Sequence, residues 1–289
     1  EIAVSQEILK RAADVYRRLR NTARYLLANT ADFDPAIHRV PDDEMLSLDR
    51  WAVDQARQVQ AKVQQGYKHC QYHHVYQAVH HFCSIDMGSF YLDIIKDRQY
   101  TCQADSLARR SAQTAMFDIA EALVRWLAPI LSFTAEEIWQ VMPGEREESV
   151  FLSEWYDGLS ELPSDDAMNA TYWSMLQTLR DDVNKEIENL RNEGQVGSGL
   201  ETKVVIYADT EHYEKLALLG DELRFVFITS NAEIKPLTEK ELGAVDSQLD
   251  GMAVRVTKSQ AKKCVRCWHR RHDVGAFVAG DSVDWEQVG

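Results

Sequence analysis

The stretch SQEILKRAADVYRRLRNTARYLLANT, residues 5–30, decides the fold. Apolar residues recur in it every three to four positions, which is the spacing of one helix face. They are Ile8, Ala12, Val15, Leu19, Ala23 and Leu26. Ser5 precedes the pattern as a plausible N-cap, because its hydroxyl can accept a hydrogen bond from a first-turn N–H. The stretch therefore predicts a long amphipathic helix whose apolar face packs on other helices.

The same stretch carries an unusual density of positive charge. Residues 10–24 hold six Lys and Arg and one acid, in a chain of net charge −14. The residues opposite the apolar face are Lys10, Asp14, Arg17, Asn21 and Arg24, and Arg18 and Arg20 flank them. Such a face indicates local contact with a polyanion. Plain solvation of a basic helix face is the alternative interpretation.

Four more helical patterns follow, over residues 46–67, 72–100, 104–131 and 132–142. Pro129 should break the fourth, because an internal proline removes a hydrogen bond and clashes with the preceding turn. Thr134 is predicted as the N-cap of the fifth. The core positions predicted for the third are Val75, Val79, Phe82, Ile85 and Met87. Long helices with short connections predict a bundle, assigned to residues 1–160.

The character of the sequence changes in the second half. A long acidic helix ending at Gly194 is predicted within a linker, residues 161–199. Strand-like segments at residues 201–208, 225–234 and 252–259, with a helix-like segment at 211–224, predict a small α/β domain over residues 200–257. Residues 258–289 are predicted as a partial zinc-binding knuckle. The fold class is mainly α: a helical bundle, a small α/β unit and a partial zinc ribbon.

The knuckle prediction rests on Cys264 and Cys267, whose spacing is that of half a zinc site. No further cysteine follows them in the printed sequence, so the chain is expected to hold zinc poorly or not at all. A redox pair or two buried thiols are the alternatives. The surrounding residues 258–272 contain six Lys and Arg and no acid, which suits a zinc ribbon better than a redox site.

No catalytic residues are predicted. The sequence has no glycine-rich phosphate loop, no G-x-S-x-G and no H-E-x-x-H. His69, His73 and His80 share a helix face and are interpreted as helix histidines, with a metal site as the weaker alternative. No apolar run approaches a membrane span, no leader opens the chain, and five sparse cysteines favour a reducing cytoplasm.

Five segments, taken in order, resemble one family. They are YRRLRNTARYLLAN, SFYLDIIKDRQY, LSFTAEEIW, VFLSEW and CVRCWH. Together they resemble the C-terminal part of bacterial isoleucyl-tRNA synthetases, which are class Ia enzymes. SFTAEEIW and RNTARY are shared more widely in that class, so valyl- and leucyl-tRNA synthetases remain alternatives.

The resemblance implies an anticodon-binding domain, a junction domain and a C-terminal zinc knuckle that hold the anticodon arm of tRNA(Ile). It implies a cytoplasmic parent, an isoleucine–tRNA ligase that uses ATP and Mg²⁺, with the catalytic and editing domains outside this chain. This chain is expected to bind only, as a monomer, with no membrane or DNA partner. The residues expected at tRNA are Arg17, Arg18, Arg20, Asn21, Arg24, Arg266, Trp268 and Arg270; those expected at zinc are Cys264 and Cys267.

Two other classes compete with this interpretation. DNA-repair glycosylases carry similar zinc knuckles, but the long helical region argues against them. A helical protein-interaction module without nucleic-acid binding is favoured by the acidic net charge of −14.

Overall fold

The computed structural model describes residues 4–272 and residue 274. The chain divides into two compact units, residues 1–163 and residues 164–289, called here the helical unit and the α/β unit. The predicted fold class, mainly α with a small α/β part, is confirmed. None of the helices in the described ranges is both long and apolar enough to cross a membrane.

The helical unit is a series of helices, most of them joined by short connections, with a longer loop over residues 30–46 between the first two. The helices are α1 (Gln6–Asn29), α2 (Ser47–Lys68), α3 (Tyr72–His81), α4 (Leu92–Ile94), α5 (Lys96–Thr101), α6 (Leu107–Leu127) and α7 (Ser132–Trp139). A π-helical segment, Phe82–Tyr91, joins α3 to α4, and a 3₁₀ turn lies at Val150–Leu152. α6 ends before Pro129, as its missing N–H requires.

Helix α6 lies at the centre of the helical unit and is buried almost all round. It packs against α1, α2, α5 and α7. The Trp126 indole N–H donates to Gln60 Oε1 at 3.0 Å, so the fully buried ring keeps a polar partner. Asp49 of α2 is also fully buried and accepts hydrogen bonds from Tyr91 (2.8 Å) and Ser111 (2.6 Å). These bonds offset the desolvation that burying a polar group costs.

The π-helical segment corrects one predicted core position. Val75, Val79, Phe82 and Met87 are buried as predicted, but Ile85 is 50% exposed. A π-helix has more residues per turn than an α-helix, with i→i+5 bonds. Met87, five residues after Phe82, therefore faces inward like Phe82, and Ile85, three residues after it, faces outward.

The start of α7 corrects a second prediction. Thr134 lies inside the helix and is not its N-cap, since α7 begins at Ser132. Leu131 N donates to Leu127 O at 2.7 Å, so the chain keeps turning from α6 towards α7 and leaves no extended cap residue. The Thr134 hydroxyl instead lies 3.0 Å from the hydroxyl of Tyr16 in α1.

The α/β unit begins with α8 (Ala170–Asn192), which packs on the sheet at strand β4. Gly194 terminates the helix with φ +72. Gln195 N donates to Leu190 O (2.9 Å) and Gly194 N to Arg191 O (3.0 Å), the Schellman pattern that satisfies the last carbonyls. Glycine is suited to this position because its left-handed backbone costs no Cβ clash.

The sheet of the α/β unit has the strand order β2-β1-β4-β3. Its strands are β1 (Thr202–Ala208), β2 (Asn231–Pro236), β3 (Val245–Asp246) and β4 (Met252–Lys258). β1 runs parallel to β2 and antiparallel to β4. The connection from β1 to β2 carries α9 (Thr210–Ala217) and α10 (Leu223–Val226). β1 is buried over nearly its whole length, as an inner strand should be.

The predicted strand at residues 225–234 is wrong in its first half. Phe225 and Val226 belong to α10, and β2 begins only at Asn231. Leu223, Val226 and Phe227 are buried at i, i+3 and i+4, which is helical spacing. The apolar run FVFI was therefore ambiguous between helix and strand, and tertiary packing decided it.

Candidate nucleic-acid interface

The basic face of α1 belongs to the helical unit. Ser5 caps the helix as predicted, accepting a hydrogen bond from Ile8 N at 3.2 Å. The side chains expected at tRNA along this helix are all exposed: Arg17, Arg18, Arg20, Asn21 and Arg24. Because they recur along one helix, they form a continuous outward strip that can meet an extended ligand.

Most of the cations on α1 are not neutralised within the chain. Arg17 pairs with Asp14 at 3.1 Å on the exposed surface, where such a pair is weak. Across the described ranges, Arg18, Arg20 and Arg24 make no ion pair. A ligand that carries negative charge would thus meet cations whose charge is still available.

Only half of the predicted apolar face holds α1 in place. Leu19, Ala23 and Leu26 are buried, and Leu26 is fully enclosed. Ile8 is 49% exposed, and the first half of the helix buries no side chain among the described residues. The expectation of a fully packed apolar face is therefore wrong for its first turns. The cations from Arg17 onward stand on the half of the helix that is anchored.

The cysteine pair lies in a hairpin of the α/β unit, between β5 (Lys262–Lys263) and β6 (Arg270–Arg271). Cys264 N donates to His269 O at 2.8 Å, and Trp268 N donates to Cys264 O at 3.1 Å. Trp268 has φ +65, a left-handed conformation rare for a bulky residue. The turn that brings the two cysteines together is therefore set by backbone bonds and by local strain.

The hairpin favours the thiolate form of Cys264. Backbone N–H groups of Cys267, and then of Arg266, hydrogen-bond the sulfur and lower the pKa of Cys264. Zinc binds cysteine as thiolate, so the geometry fits two of the four ligands of a structural zinc. Within the described part of the chain, no group of three or more His, Cys, Asp or Glu could hold a metal.

The histidines nearby do not complete that set. His269 is buried, its ring centroid lies 5.6 Å from that of Phe225, and its Nδ1 lies 3.5 Å from an Arg224 nitrogen. In the helical unit, His73 lies against His74 with ring centroids 4.1 Å apart. The alternative metal site at His69, His73 and His80 likewise finds no such group among the described residues.

The three residues expected at tRNA in the hairpin do not share one environment. Trp268 is 61% exposed, with the Lys263 ammonium 5.1 Å from its ring centroid. Arg266 is exposed too. Arg270 is turned inward, and its Nη2 lies 3.3 Å from Glu201 Oε1. The outward surface of the hairpin therefore offers one aromatic face flanked by cations.

The structure adds one basic residue that sequence reasoning missed, Lys203, and groups it with residues of the basic island 258–272. Lys203, Lys258, Arg271 and His272 line one cavity of about 520 Å³ together with Arg270. Strand pairing assembles this group from separate parts of the chain. The cluster Lys258–His272 was visible as a basic island, but no local pattern pointed to Lys203.

Comparison with known proteins identifies the family. The sequence pattern of the anticodon-binding domain of tRNA ligases matches residues 49–206, more than half of the chain. The chain belongs to this anticodon-binding family. The match runs from α2 of the helical unit to β1 of the α/β unit. It excludes the glycosylase interpretation as the family of this chain.

Curated relatives with this domain are isoleucine–tRNA ligases. The enzyme of Methylococcus capsulatus is 55% identical over 275 residues, which are 95% of this chain and 29% of the relative. Those of Pseudomonas aeruginosa PAO1 and Azotobacter vinelandii are 55% and 54% identical, over 96% and 98% of this chain and 30% of each relative. The predicted resemblance is confirmed. The chain spans about 30% of the length of the curated relatives it matches.

Proposed function

We propose that this chain binds the anticodon arm of tRNA(Ile) as part of an isoleucine–tRNA ligase. The observation that carries the proposal is the exposed, largely unpaired row Arg18, Arg20 and Arg24 on a member of the anticodon-binding family. An acidic protein has no structural need for such a row, because unpaired like charges on one helix repel each other.

Two kinds of contact would hold the RNA. Phosphates would meet the cations of α1, which releases counterions and makes the affinity depend on salt. Proteins read single-stranded RNA loops by stacking splayed bases on aromatic rings or guanidinium planes. Trp268 and Arg266, both exposed on the hairpin, have the chemistry for that stacking.

The chemistry of the whole protein would lie outside this chain. The relatives are named for joining isoleucine to tRNA, and we assign this chain to the recognition part of such a ligase. ATP and Mg²⁺ would act in the catalytic part, in the cytoplasm. Within the chain, we propose that Cys264 and Cys267 can supply two of the four ligands of a zinc site, too few to hold zinc tightly by themselves, and that the chain is monomeric.

A titration with labelled RNA hairpins tests the proposal. The RNAs are the anticodon arm of tRNA(Ile), the same stem with a scrambled loop, and a DNA hairpin of the native sequence. The chain should bind the native arm most tightly. Its log affinity should fall linearly with log salt, with a slope of about −0.7 to −0.9 for each phosphate contacted.

Equal affinity for the native and scrambled loops would contradict anticodon recognition. Absence of RNA binding at low salt would contradict the proposed function of the chain altogether. A preference for the DNA hairpin would contradict RNA recognition and would indicate a DNA-binding protein instead.

A further inference from the structure

One end of the sheet in the α/β unit brings four parts of the chain together. Lys203, at the start of β1, is paired with Asn231 at the start of β2. Because β4 runs antiparallel to β1, its last residue, Lys258, is paired with Thr202. The starts of two strands and the end of a third thus meet at the same edge.

The hairpin closes this edge into a cleft. Arg270 N donates to Ser230 Oγ at 2.5 Å, and Arg270 Nη2 lies 3.3 Å from Glu201 Oε1, so β6 is tied to the starts of β1 and β2. The volume of this open cleft is about 520 Å³. Pockets of roughly 300–1,000 Å³ accept ligands in other proteins, so this cleft has room for a charged group with its water.

The cleft is strongly basic. Its charged lining consists of Lys203, Lys258, Arg270, Arg271 and a single acid, Asp221, and His272 lies beside them. This density contrasts with the net charge of −14 for the whole chain. Hydroxyl groups of Thr257 and Ser259 add hydrogen-bond donors to the wall, whereas that of Ser230 donates to Leu200 O. Cations and hydroxyl donors together are the groups that bind phosphate oxygens.

Not all of this positive charge is neutralised by the protein. Lys203 pairs with Glu233 at 2.8 Å and Arg271 with Asp221 at 3.5 Å. Arg270 Nε is buried and donates to no atom of the described chain. Lys258 is exposed and has no ion-pair partner in residues 4–272. The charge of Lys258 is therefore available to an anion in the cleft.

The lining also limits what kind of anion fits. Ala261 is the one apolar residue among those that line the cleft, and the lining contains no Phe, Tyr or Trp ring to stack a base. The exposed ring of Trp268 lies on the same hairpin, outside this lining. A ligand that places phosphate in the cleft and keeps its bases outside is a nucleic-acid backbone.

We propose that this cleft binds a phosphodiester group of the RNA backbone. The proposal rests on the proposed function, because the RNA is the anticodon arm bound by this chain. The proposal adds Lys258 and Lys203 to the residues expected to contact RNA. It also predicts that the cleft binds one phosphate in a fixed orientation.

The test compares Lys258→Gln with Lys185→Gln in the full chain. Both lysines are exposed in the α/β unit, and Lys185 lies on α8 outside the cleft. Lys258→Gln should weaken binding of the anticodon-arm RNA by about threefold to tenfold and reduce the salt slope by about 0.7–0.9. Lys185→Gln should leave both unchanged. Circular dichroism and melting temperature check that each variant is folded, and Lys203→Gln gives a second, independent loss of affinity in the cleft.

The outcomes distinguish failure of the cleft proposal from failure of the proposed function. Wild-type chain that binds RNA, with Lys258→Gln and Lys203→Gln equal to it in affinity and slope, would overturn the cleft and leave the function standing. Equal losses of affinity for Lys258→Gln and Lys185→Gln would overturn it as well, since net charge alone would explain them. The cleft could instead bind a free phosphate compound, and calorimetry with pyrophosphate tests this. If Lys258→Gln lost pyrophosphate binding but kept the RNA affinity of the wild type, the assignment of the cleft to RNA would also be overturned.

Discussion

The two basic regions of the molecule, the face of α1 and the cleft of the α/β unit, are built in opposite ways. The α1 cations lie within fifteen residues of one helix and stand exposed. Those of the cleft come from β1, β4 and the hairpin, and most are paired with an acid. An open row attracts any extended polyanion, whereas a cleft can select and orient one group. If RNA binds as proposed, the two regions would make different contributions, affinity from the row and geometry from the cleft.

The two regions also depend on different packing. The α1 face is presented by a helix anchored in the bundle through Leu26, which is fully enclosed. The cleft is maintained by strand register and by the Arg270–Ser230 hydrogen bond. Changes in one unit should therefore leave the binding surface of the other intact, and substitutions in each unit can test this independence.

The largest effect is expected from removing the anchor of α1. Leu26→Ala should lower the free energy of unfolding of the helical unit by about 2–5 kcal/mol, because it removes buried surface and leaves a cavity. Leu9→Ala is the control on the same helix, since Leu9 is 53% exposed, and should change stability by less than about 0.5 kcal/mol. Chemical denaturation followed by circular dichroism measures both. Similar losses of stability for the two variants would contradict the claim that only the second half of α1 is anchored by packing.

The second effect is a difference between the two units in how their stability depends on pH. Burial raises the pKa of Asp118 in the helical unit to about 6, despite its ion pair with Arg39. The folded carboxyl thus holds its proton more tightly than the unfolded one. Its contribution to stability is complete below about pH 4, and up to about 3 kcal/mol is lost as the pH rises through 6. The stability advantage of wild type over Asp118→Asn should shrink over that range.

Asp182 of the α/β unit is the counterpart with the opposite sign. Burial alone would raise its pKa, but hydrogen bonds from Ser247 (2.6 Å) and Gln248 (2.8 Å) lower it. Its contribution is present at neutral pH and is lost as the pH falls through the lowered pKa. Unfolding curves of Asp182→Asn and Asp118→Asn against pH should therefore diverge from wild type at opposite ends. Parallel curves would contradict this assignment.

The sequence predicted the face of α1 well and the cleft poorly, for a physical reason. Helical periodicity places Arg17 and Arg24 on one face without any tertiary information. The cleft needs strand register: Lys203 and Lys258 are 55 positions apart in the numbering and meet only because β4 pairs antiparallel with β1. Ile85 was assigned to the core because nothing in the local pattern signals the π-helical segment. Arg270 was expected at an outward surface, but the hairpin turns it into the cleft.

A third effect concerns the outward face of the hairpin. Trp268→Ala should weaken binding of the native RNA arm by about 1–3 kcal/mol, the amount that stacking of one base contributes. Trp268→Phe should recover part of it, because a smaller aromatic face remains. Fluorescence anisotropy with the RNA hairpin measures both. Full recovery by Trp268→Leu would show that apolar contact, and not stacking, is the source.

The smallest effect is expected on the helical unit when the cysteine pair of the α/β unit is replaced. Replacing Cys264 and Cys267 with Ser should leave the helical circular dichroism and the main melting transition nearly unchanged, because the core of the bundle lies in residues 1–163. A global loss of helix would contradict the independence of the two units.

Metal analysis of the wild-type chain tests the hairpin itself. Two thiolates rarely fix a structural zinc alone, so less than one zinc per chain and two reactive thiols are expected. One tightly bound zinc with both thiols protected would show that other ligands complete the site. The knuckle was predicted over residues 258–289, of which 273 and 275–289 lie outside the described residues.

The central claim is that α1 presents its cations to RNA phosphates, and a salt titration of one variant tests it most directly. Arg18, Arg20 and Arg24 are each changed to Gln in the full chain, and binding of the tRNA(Ile) anticodon arm is measured from low to physiological salt. Because up to three phosphates would then meet no cation, the slope of log affinity against log salt should become shallower by about 2, with affinity reduced most at low salt. The melting temperature should be unchanged, since all three side chains are exposed. An unchanged slope and affinity in the folded variant would show that the face is only solvated, and would contradict the account.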